Sequence, residues 1–339
     1  MPVAVLGAGS FGTAVANSLA RRGQGVVLWC RDPEQARAIN ETHRNPRHLM
    51  DCGLDPSLAA TPDLEAALSP ASHVILAVPT QSLRNVLTRV RAFPTEGKRF
   101  LSLSKGIEVS TGLLPDRVFE EALPGGDFSV LSGPSHAEEV VRDLPTAVIV
   151  ASRGEESALD WQTRLNSPRF RVYTSGDVLG VEMGAAVKNV IAIAAGAACA
   201  LKLGDNARAA LATRGLAEII RLGAAMGADP VTLAGLAGVG DLMVTCYSEH
   251  SRNFRFGMAI GRGMGPEEAA AEIGEVVEGA HTARALVAFA RRYGVELPIS
   301  EGVHAILYEG AALQDVIGRL LFREPRAENN MRRGRGIVL

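Results

Sequence analysis

The sequence predicts an α/β protein with an N-terminal Rossmann-like domain, built on a mostly parallel sheet, and a C-terminal all-α domain. In the first half, short apolar runs rich in branched residues alternate with helix-like segments, as in an open parallel sheet covered by helices. The glycine-rich stretch VAVLGAGSFG contains the first of these runs. Near residues 176–184 the strand signals almost vanish and long Ala-, Leu- and Ile-rich helical patterns begin. We therefore predict domains at residues 1–180 and 181–339.

The first element is a glycine turn between a strand and a helix. Residues 3–6 and 26–29 are apolar strand signals, and a helical pattern separates them. Gly7, Gly9 and Gly12 have G-x-G-x-x-G spacing, which in this context is typical of dinucleotide binding. We expect Gly7 to allow a tight turn, Gly9 the approach of a pyrophosphate and Gly12 close packing of the helix that follows it. An ordinary strand–helix turn is the alternative.

The later elements follow the same alternation and then become helical. Further strands are predicted at residues 73–78, 100–104, 128–132, 146–152 and 171–175, with helices between most of them, for example at 81–93 and 116–123. In the second half we predict helices over residues 206–227 and 282–294. The apolar run 190–201 is too short for a membrane span by this interpretation, and we expect a buried helix.

Composition limits the partners of the chain. It has 339 residues, which suggests two domains, and a formal net charge of −2, so we expect neither nucleic-acid binding nor membrane insertion. Four cysteines without a CxxC pair predict no metal site and free thiols in a reducing cytoplasm. The seven histidines are interpreted as structural or solvent-facing. Any anionic ligand must therefore be held by a local cluster of positive charge. We also expect a homodimer.

The two ends of the chain lead to two further expectations. The first strand begins at residue 3, which leaves no room for a signal peptide. The tail from about residue 323 is polar and rich in Arg and Gly, so we expect a disordered, solvated end.

Polar residues follow two strands at the edge of the sheet where ligands bind. In open α/β sheets this is the carboxyl edge of the strands. The strand at 100–104 leads into Lys105, and the strand at 128–132 leads into Gly133 and Ser135. These residues offer a cation, backbone N–H groups and a hydroxyl at the predicted crevice.

The second strand ends in residues that bear on cofactor choice. An acidic residue there holds the ribose diol of NAD, whereas an arginine accepts the 2′-phosphate of NADP. Arg31 and Asp32 stand side by side, and Arg31 is closer to the strand. We therefore favour NADPH, with NADH also accepted. The alternative for Asp32 is an N-cap of the following helix, which starts with Pro33.

The second half contains a lysine in unusual surroundings and an anion-binding cluster. Lys188 lies in a helix of small and apolar residues, where burial and neighbouring cations would lower its pKa toward neutrality and suit it to proton transfer. Asp241, in GVGDL, is placed in a turn that could orient Lys188. Ser251, Arg252 and Asn253 combine a guanidinium with polar donors, as phosphate binding requires. The alternatives are a snorkelling lysine, a capping aspartate and a surface charge pair.

These segments together resemble the bacterial NAD(P)-dependent glycerol-3-phosphate dehydrogenases. The resemblance covers nearly the full length, in GAGSFGTAVA, LWCRDPE, SKGIE, SGPSHAEE, AVKNVIAIAAG, GVGDLMVTC, SRNFRFG and VVEGAHTA. It implies the interconversion of dihydroxyacetone phosphate and sn-glycerol 3-phosphate, the backbone precursor of phospholipids. It also implies that Lys188 is the proton donor and acceptor, with Asp241 beside it and Lys105 at the reacting centre.

The resemblance assigns the remaining site residues by position. The dinucleotide would contact the glycine loop, Lys105, Arg252 and the set Ser10, Phe11, Arg31, Ala137, Val276 and Glu278. The substrate would contact Lys105, Gly133, Ser135, Lys188, Asp241, Ser251, Arg252 and Asn253. Two alternatives remain: a 3-hydroxyacid or 6-phosphogluconate-type dehydrogenase, and a dinucleotide sensor without catalysis.

Overall fold

The computed structural model describes residues 2–324, and an eight-stranded sheet forms the centre of the first half. The predicted disordered tail lies almost wholly outside the described residues. The strands are β1 (Val3–Leu6), β2 (Val26–Trp29), β3 (Ala59–Thr61), β4 (His73–Leu76), β5 (Arg99–Ser102), β6 (Asp127–Ser132), β7 (Thr146–Ser152) and β8 (Phe170–Ser175). Their order is β3-β2-β1-β4-β5-β6-β7-β8, and every neighbouring pair is parallel except β6–β7. The prediction of a mostly parallel sheet is confirmed.

Helices cover the sheet and build the second half. The first seven are α1 (Ser10–Ala20), α2 (Pro33–Thr42), α3 (Leu64–Leu68), α4 (Thr80–Val90), α5 (Pro115–Ala122), α6 (Ala137–Val140) and α7 (Glu155–Leu165). The others are α8 (Val178–Ala200), α9 (Asp205–Met226), α10 (Pro230–Ala234), α11 (Asp241–Tyr247), α12 (Arg252–Gly261), α13 (Pro266–Ile273), α14 (Glu278–Tyr293), α15 (Pro298–Tyr308) and α16 (Leu313–Leu321). A π-helical turn, Leu236–Gly240, precedes α11.

The strand predictions agree with the structure where a strand is buried on both faces. Strand β1 has no exposed residue, and β2, β6 and β7 end where the sequence pattern ends. The pattern missed β3, a three-residue edge strand with an exposed first residue. Such a short strand contains too few side chains to produce an alternating or continuous apolar signal.

Helix α8 is the central element of the helical half. The helix has 23 residues and is long and apolar enough to cross a membrane. The apolar run 190–201 covers only its C-terminal half, so the length of that run underestimates the length of the helix. Burial gives the reason for its apolar character: 89% of its apolar window is inside the protein, packed against helices α9, α11, α12 and α14. The interpretation as a buried core helix therefore agrees with the structure.

Candidate active site

The glycine loop between β1 and α1 is shaped as a cradle. Gly7 has φ +122°, and a Cβ there would lie 2.5 Å from the Ala77 carbonyl oxygen. Gly12 lies inside α1, which begins at Ser10 rather than after Gly12, and a Cβ there would lie 2.1 Å from the Gly7 oxygen. A Cβ at Gly9 would meet no atom within 4 Å. The open space before the N-terminus of α1 fits the pyrophosphate of a dinucleotide.

The end of β2 separates the roles of Arg31 and Asp32. The Asp32 carboxylate caps α2 by accepting the Glu34 N–H at 2.9 Å, and it also pairs with Arg47. Asp32 therefore acts as the N-cap of α2, as one of the two alternatives predicted. Arg31, at the end of the strand, is exposed to solvent.

A buried aspartate joins two lysines at the centre of the site. Asp241 is 1% exposed; its Oδ2 accepts from Lys105 Nζ at 2.8 Å, and its Oδ1 pairs with Lys188 Nζ. Lys105 follows β5, Lys188 lies on α8 and Asp241 begins α11. The prediction of a turn at Asp241 was wrong, because the π-helical turn runs directly into α11. The carboxyl edge of the sheet and the helical half thus meet at this cluster.

Burial and charge set the protonation of the cluster. Burial lowers the pKa of Lys188 to about 8; Lys105 contributes in the same direction, and Asp241 opposes the shift. Burial alone would raise the pKa of Asp241, but the ammonium groups of Lys105 and Lys188 hold it below its usual value. Lys188 can therefore exist as ammonium or as free amine near neutral pH, beside a carboxylate that stays charged.

Two hydroxyl groups complete this cluster, and the sequence analysis assigned neither of them a role. Thr245 Oγ1 accepts from Lys188 Nζ at 2.9 Å and donates to the Asp241 carbonyl oxygen at 2.5 Å. Ser132 Oγ donates to Asp241 Oδ2 at 3.1 Å. Thr245 is four residues after Asp241, a spacing that places both on one helix face. The spacing is a signal only within a helix, and the two glycines of GVGDL indicate a turn instead.

The loops after β5 and β6 close around Lys105. Its Nζ lies 3.3 Å from the Gly133 carbonyl oxygen and 5.8 Å from the centre of the Phe11 ring. Ser135 Oγ also donates to the Gly133 oxygen, at 2.9 Å. Lys105 thus connects the glycine loop to the Gly133 loop, and Ala137 starts the short helix that follows.

The polar residues at the start of α12 already form hydrogen bonds within the protein. Ser251 caps α12 by accepting the Phe254 N–H at 3.2 Å. Asn253 Nδ2 donates to Asn189 Oδ1 at 3.0 Å, and Asn253 Oδ1 accepts the Gly279 N–H at 2.9 Å. Both polar atoms of its amide therefore already form hydrogen bonds. Asn189, to which the sequence analysis gave no role, thereby fixes this helix beside Lys188.

Arg252 reaches the N-terminal half through an ionic chain. Its Nη1 lies 3.2 Å from Glu275 Oε2, which lies 3.7 Å from His48 Nδ1. The same His48 nitrogen is 3.5 Å from Ser10 Oγ on the glycine loop. Ser10 and Arg252, both predicted cofactor contacts, are therefore linked through His48 and the Glu275 carboxylate. Val276, the residue after Glu275, is 39% exposed.

Glu278 is a second connection between the halves. Its Oε1 accepts the Thr80 N–H at 2.8 Å. Its Oε2 and the Thr80 hydroxyl are buried and have no hydrogen-bond partner within residues 2–324. Burial raises the pKa of Glu278 to about 7. Buried polar atoms without a partner fit a place where a polar ligand or water completes the site.

A glycine cradle facing a buried lysine–aspartate pair at the carboxyl edge of a Rossmann-type sheet defines an NAD(P)-dependent dehydrogenase. Residues 2–158 match the model of the NAD-dependent glycerol-3-phosphate dehydrogenase N-terminus, and residues 177–318 match that of its C-terminus. The chain therefore belongs to the NAD-dependent glycerol-3-phosphate dehydrogenase family.

Individual relatives agree with the family models. The chain is 47% identical over 327 residues to glycerol-3-phosphate dehydrogenase [NAD(P)+] of Pseudomonas fluorescens strain Pf0-1, covering 96% of this chain and 92% of the relative. It is 45% identical over 331 residues to the Chlorobium limicola enzyme of the same name, covering 97% and 99%. The crystal structure of the Coxiella burnetii glycerol-3-phosphate dehydrogenase superposes with a TM-score of 0.91 at 40% identity, covering 95% of this chain and 99% of that one.

Proposed function

We propose that the chain interconverts dihydroxyacetone phosphate and sn-glycerol 3-phosphate with NADPH or NADH, and so supplies the backbone of glycerophospholipids. The observation that carries the assignment of catalytic residues is the buried pair of Lys188 and Asp241, joined to the cofactor loop through Lys105 and Phe11. A dinucleotide sensor without catalysis has no need for two lysines on one buried carboxylate, so this pair favours the enzyme.

The cofactor has a prepared place in the first half of the chain. The pyrophosphate would lie in the open space beside Gly9, at the N-terminus of α1, and Arg31 would accept a 2′-phosphate. Ser10, Phe11, Ala137, Val276 and Glu278 border the same space in this proposal. When bound, the nicotinamide supplies the hydride that reduces the ketone carbon.

Lys188 handles the proton in this mechanism. As hydride reaches the carbon, negative charge develops on the carbonyl oxygen, and the Lys188 ammonium stabilises and then protonates it. Asp241 and Thr245 hold the lysine nitrogen in place, and Lys105 adds a second positive charge. In the reverse direction, neutral Lys188 removes the hydroxyl proton.

The substrate phosphate has its own binding group. Arg252 supplies a guanidinium fork, and Ser251 lies at the N-terminus of α12, where free N–H groups favour an anion. Asn253 would support phosphate binding by holding α12 in position, because the nitrogen and the oxygen of its amide already form hydrogen bonds. Gly133 and Ser135 would line the opposite wall.

The decisive assay follows absorbance at 340 nm after dihydroxyacetone phosphate is added with NADPH or NADH. We expect rapid loss, faster with NADPH, and an Arg31→Ala variant that loses this preference. A substrate panel with 6-phosphogluconate and a 3-hydroxyacid tests the related dehydrogenases. No turnover of the triose phosphate with either cofactor would overturn the proposal.

Oligomeric state and location complete the proposal. A homodimer is supported by an apolar groove between α8, α9, α15 and α16, whose lining includes Leu321, 73% exposed; the next residue, Phe322, is 89% exposed. The free thiols of all four cysteines support a reducing cytoplasm. Sedimentation should give a dimer for the wild type and a monomer for Phe322→Glu; a monomeric wild type would contradict the dimer.

A further inference from the structure

A cavity lined mostly by polar residues lies at the end of α1 that is farthest from the glycine loop. It has a volume of about 290 Å³, and Ser18, Arg21, Arg22, Asp143, Ser167 and Arg169 contribute to its lining. These residues come from three places: the end of α1, the turn after α6 and the loop before β8. The 11 residues of α1 place it roughly 16 Å along the helix from the cofactor loop.

Backbone carbonyl groups fix two of its guanidinium groups. Arg21 Nη1 donates to the Val141 oxygen at 2.9 Å. Arg22 donates through Nε to the Ser18 oxygen at 3.0 Å and through Nη1 to the Leu165 oxygen at 2.8 Å. Neutral carbonyl groups orient these cations, and the carboxylates that attract them, Asp143 for Arg22 and Asp55 for Arg21, do so from beyond ion-pair distance. These bonds hold both side chains in place at the cavity, which reduces the entropy lost when another N–H group of each guanidinium binds an anion.

The cavity has an excess of positive charge. Among the described residues that line it, Asp143 is the only acidic one, and its carboxylate lies 3.6 Å from Arg169 Nε. Within residues 2–324, no carboxylate oxygen lies within 4.0 Å of the Arg21 or Arg22 guanidinium. Burial lowers the pKa of the half-buried Arg22, against the attraction of Asp143. An anion in the cavity would supply the missing countercharge.

We propose that this cavity binds a small oxyanion that carries a phosphate group, at a site separate from the substrate and cofactor sites. Guanidinium forks match phosphate oxygens in two-point contacts, and the hydroxyls of Ser18 and Ser167 add donors. The chemistry fits either inorganic phosphate or a phosphate monoester. The proposal does not depend on the dehydrogenase reaction.

Calorimetric titration of the full chain at constant ionic strength tests it. Inorganic phosphate and glycerol 2-phosphate are the two probes, and whichever binds more tightly identifies the class of ligand. We expect Arg169→Gln to weaken binding at this site at least fivefold and Arg22→Gln to abolish it. Arg37→Gln, an exposed arginine outside the cavity, is the matched control and should bind as the wild type does.

Arg252→Gln separates this site from the proposed substrate site. A phosphate signal that Arg169→Gln loses and Arg252→Gln keeps supports the cavity, whatever the reaction catalysed. A signal that only Arg252→Gln removes overturns it. Because the Arg169 side chain is 58% exposed, its variant should fold even if Arg22→Gln does not.

Discussion

At the scale of single residues, the proposed proton transfer depends on the environment of one buried amine. Lys188 is 5% exposed, and burial holds its pKa at about 8, so a modest change of pH alters the proton it carries. A general acid of this pKa suits ketone reduction below pH 8 and alcohol oxidation above it.

The first prediction is the pH dependence of turnover. In the wild type, kcat for reduction should fall as pH rises through about 8, because the ammonium donor is lost, whereas kcat for oxidation should rise over the same range. Lys188→Arg keeps its charge at these pH values, so its low residual reduction rate should show no such fall. Equal profiles in both directions would contradict the assignment.

A second residue-scale prediction concerns the carboxylate that occupies Arg252. Glu275→Gln should lower the KM for dihydroxyacetone phosphate about 1.4- to 5-fold, because a partly exposed ion pair is worth about 0.2–1 kcal/mol and the freed guanidinium can bind substrate phosphate. Glu272→Gln, which breaks the nearby pair with Arg262, is the matched control and should leave KM unchanged. An increased KM in Glu275→Gln would show that Glu275 assists binding instead.

At the scale of elements, the close packing of α12 on α8 positions the end of α12 that we propose to bind phosphate beside Lys188. A Cβ at Gly257 would lie 2.0 Å from the Ile193 carbonyl oxygen on α8, so no side chain fits there. The two helices can approach this closely only because glycine occupies the contact.

Gly257→Ala should therefore destabilise the protein by about 1–3 kcal/mol, measured by urea unfolding, since the helices must separate. The control is Gly318→Ala in α16, where a Cβ meets nothing within 4 Å. That variant should be neutral or gain about 0.5–1 kcal/mol from the restricted unfolded chain. Similar stabilities for both variants would refute the packing argument.

At the scale of the whole molecule, Glu278 connects the two halves at the crevice. Its folded pKa of about 7 exceeds the ordinary 4.5, so the folded protein binds a proton that the unfolded chain releases. Stability from this group is therefore present below pH 4.5 and is lost as pH rises through about 7.

Glu278→Gln should remove that loss, because the amide oxygen can still accept the Thr80 N–H and the amide nitrogen carries no charge. The difference in Tm between variant and wild type should grow in favour of the variant from pH 5 to pH 8. Glu218, whose pKa is also raised to about 7, is present in both proteins and cancels. A constant difference in Tm across this range would contradict the assignment.

Sequence patterns predicted local features well and long-range contacts poorly. The apolar runs at β1, β2 and β7 located those strands because parallel strands are buried on both faces. The three-residue β3 gave no comparable signal. Lys188 could be singled out as a charge among apolar residues, but its bond to Thr245 depends on α11 being a helix, which the glycines of GVGDL concealed. The chain from Arg252 through Glu275 to His48 joins residues too far apart for any local pattern.

In the proposed reaction, Lys188 transfers the proton to and from the substrate oxygen. The most direct test is the kcat of Lys188→Ala for reduction of dihydroxyacetone phosphate, measured beside its Kd for NADPH. We predict a kcat lower by about 10²–10⁴-fold with a Kd within about twofold of the wild type, because the lysine acts on the substrate oxygen and not on the cofactor. Near-normal turnover, or loss of NADPH binding in parallel with turnover, would contradict it.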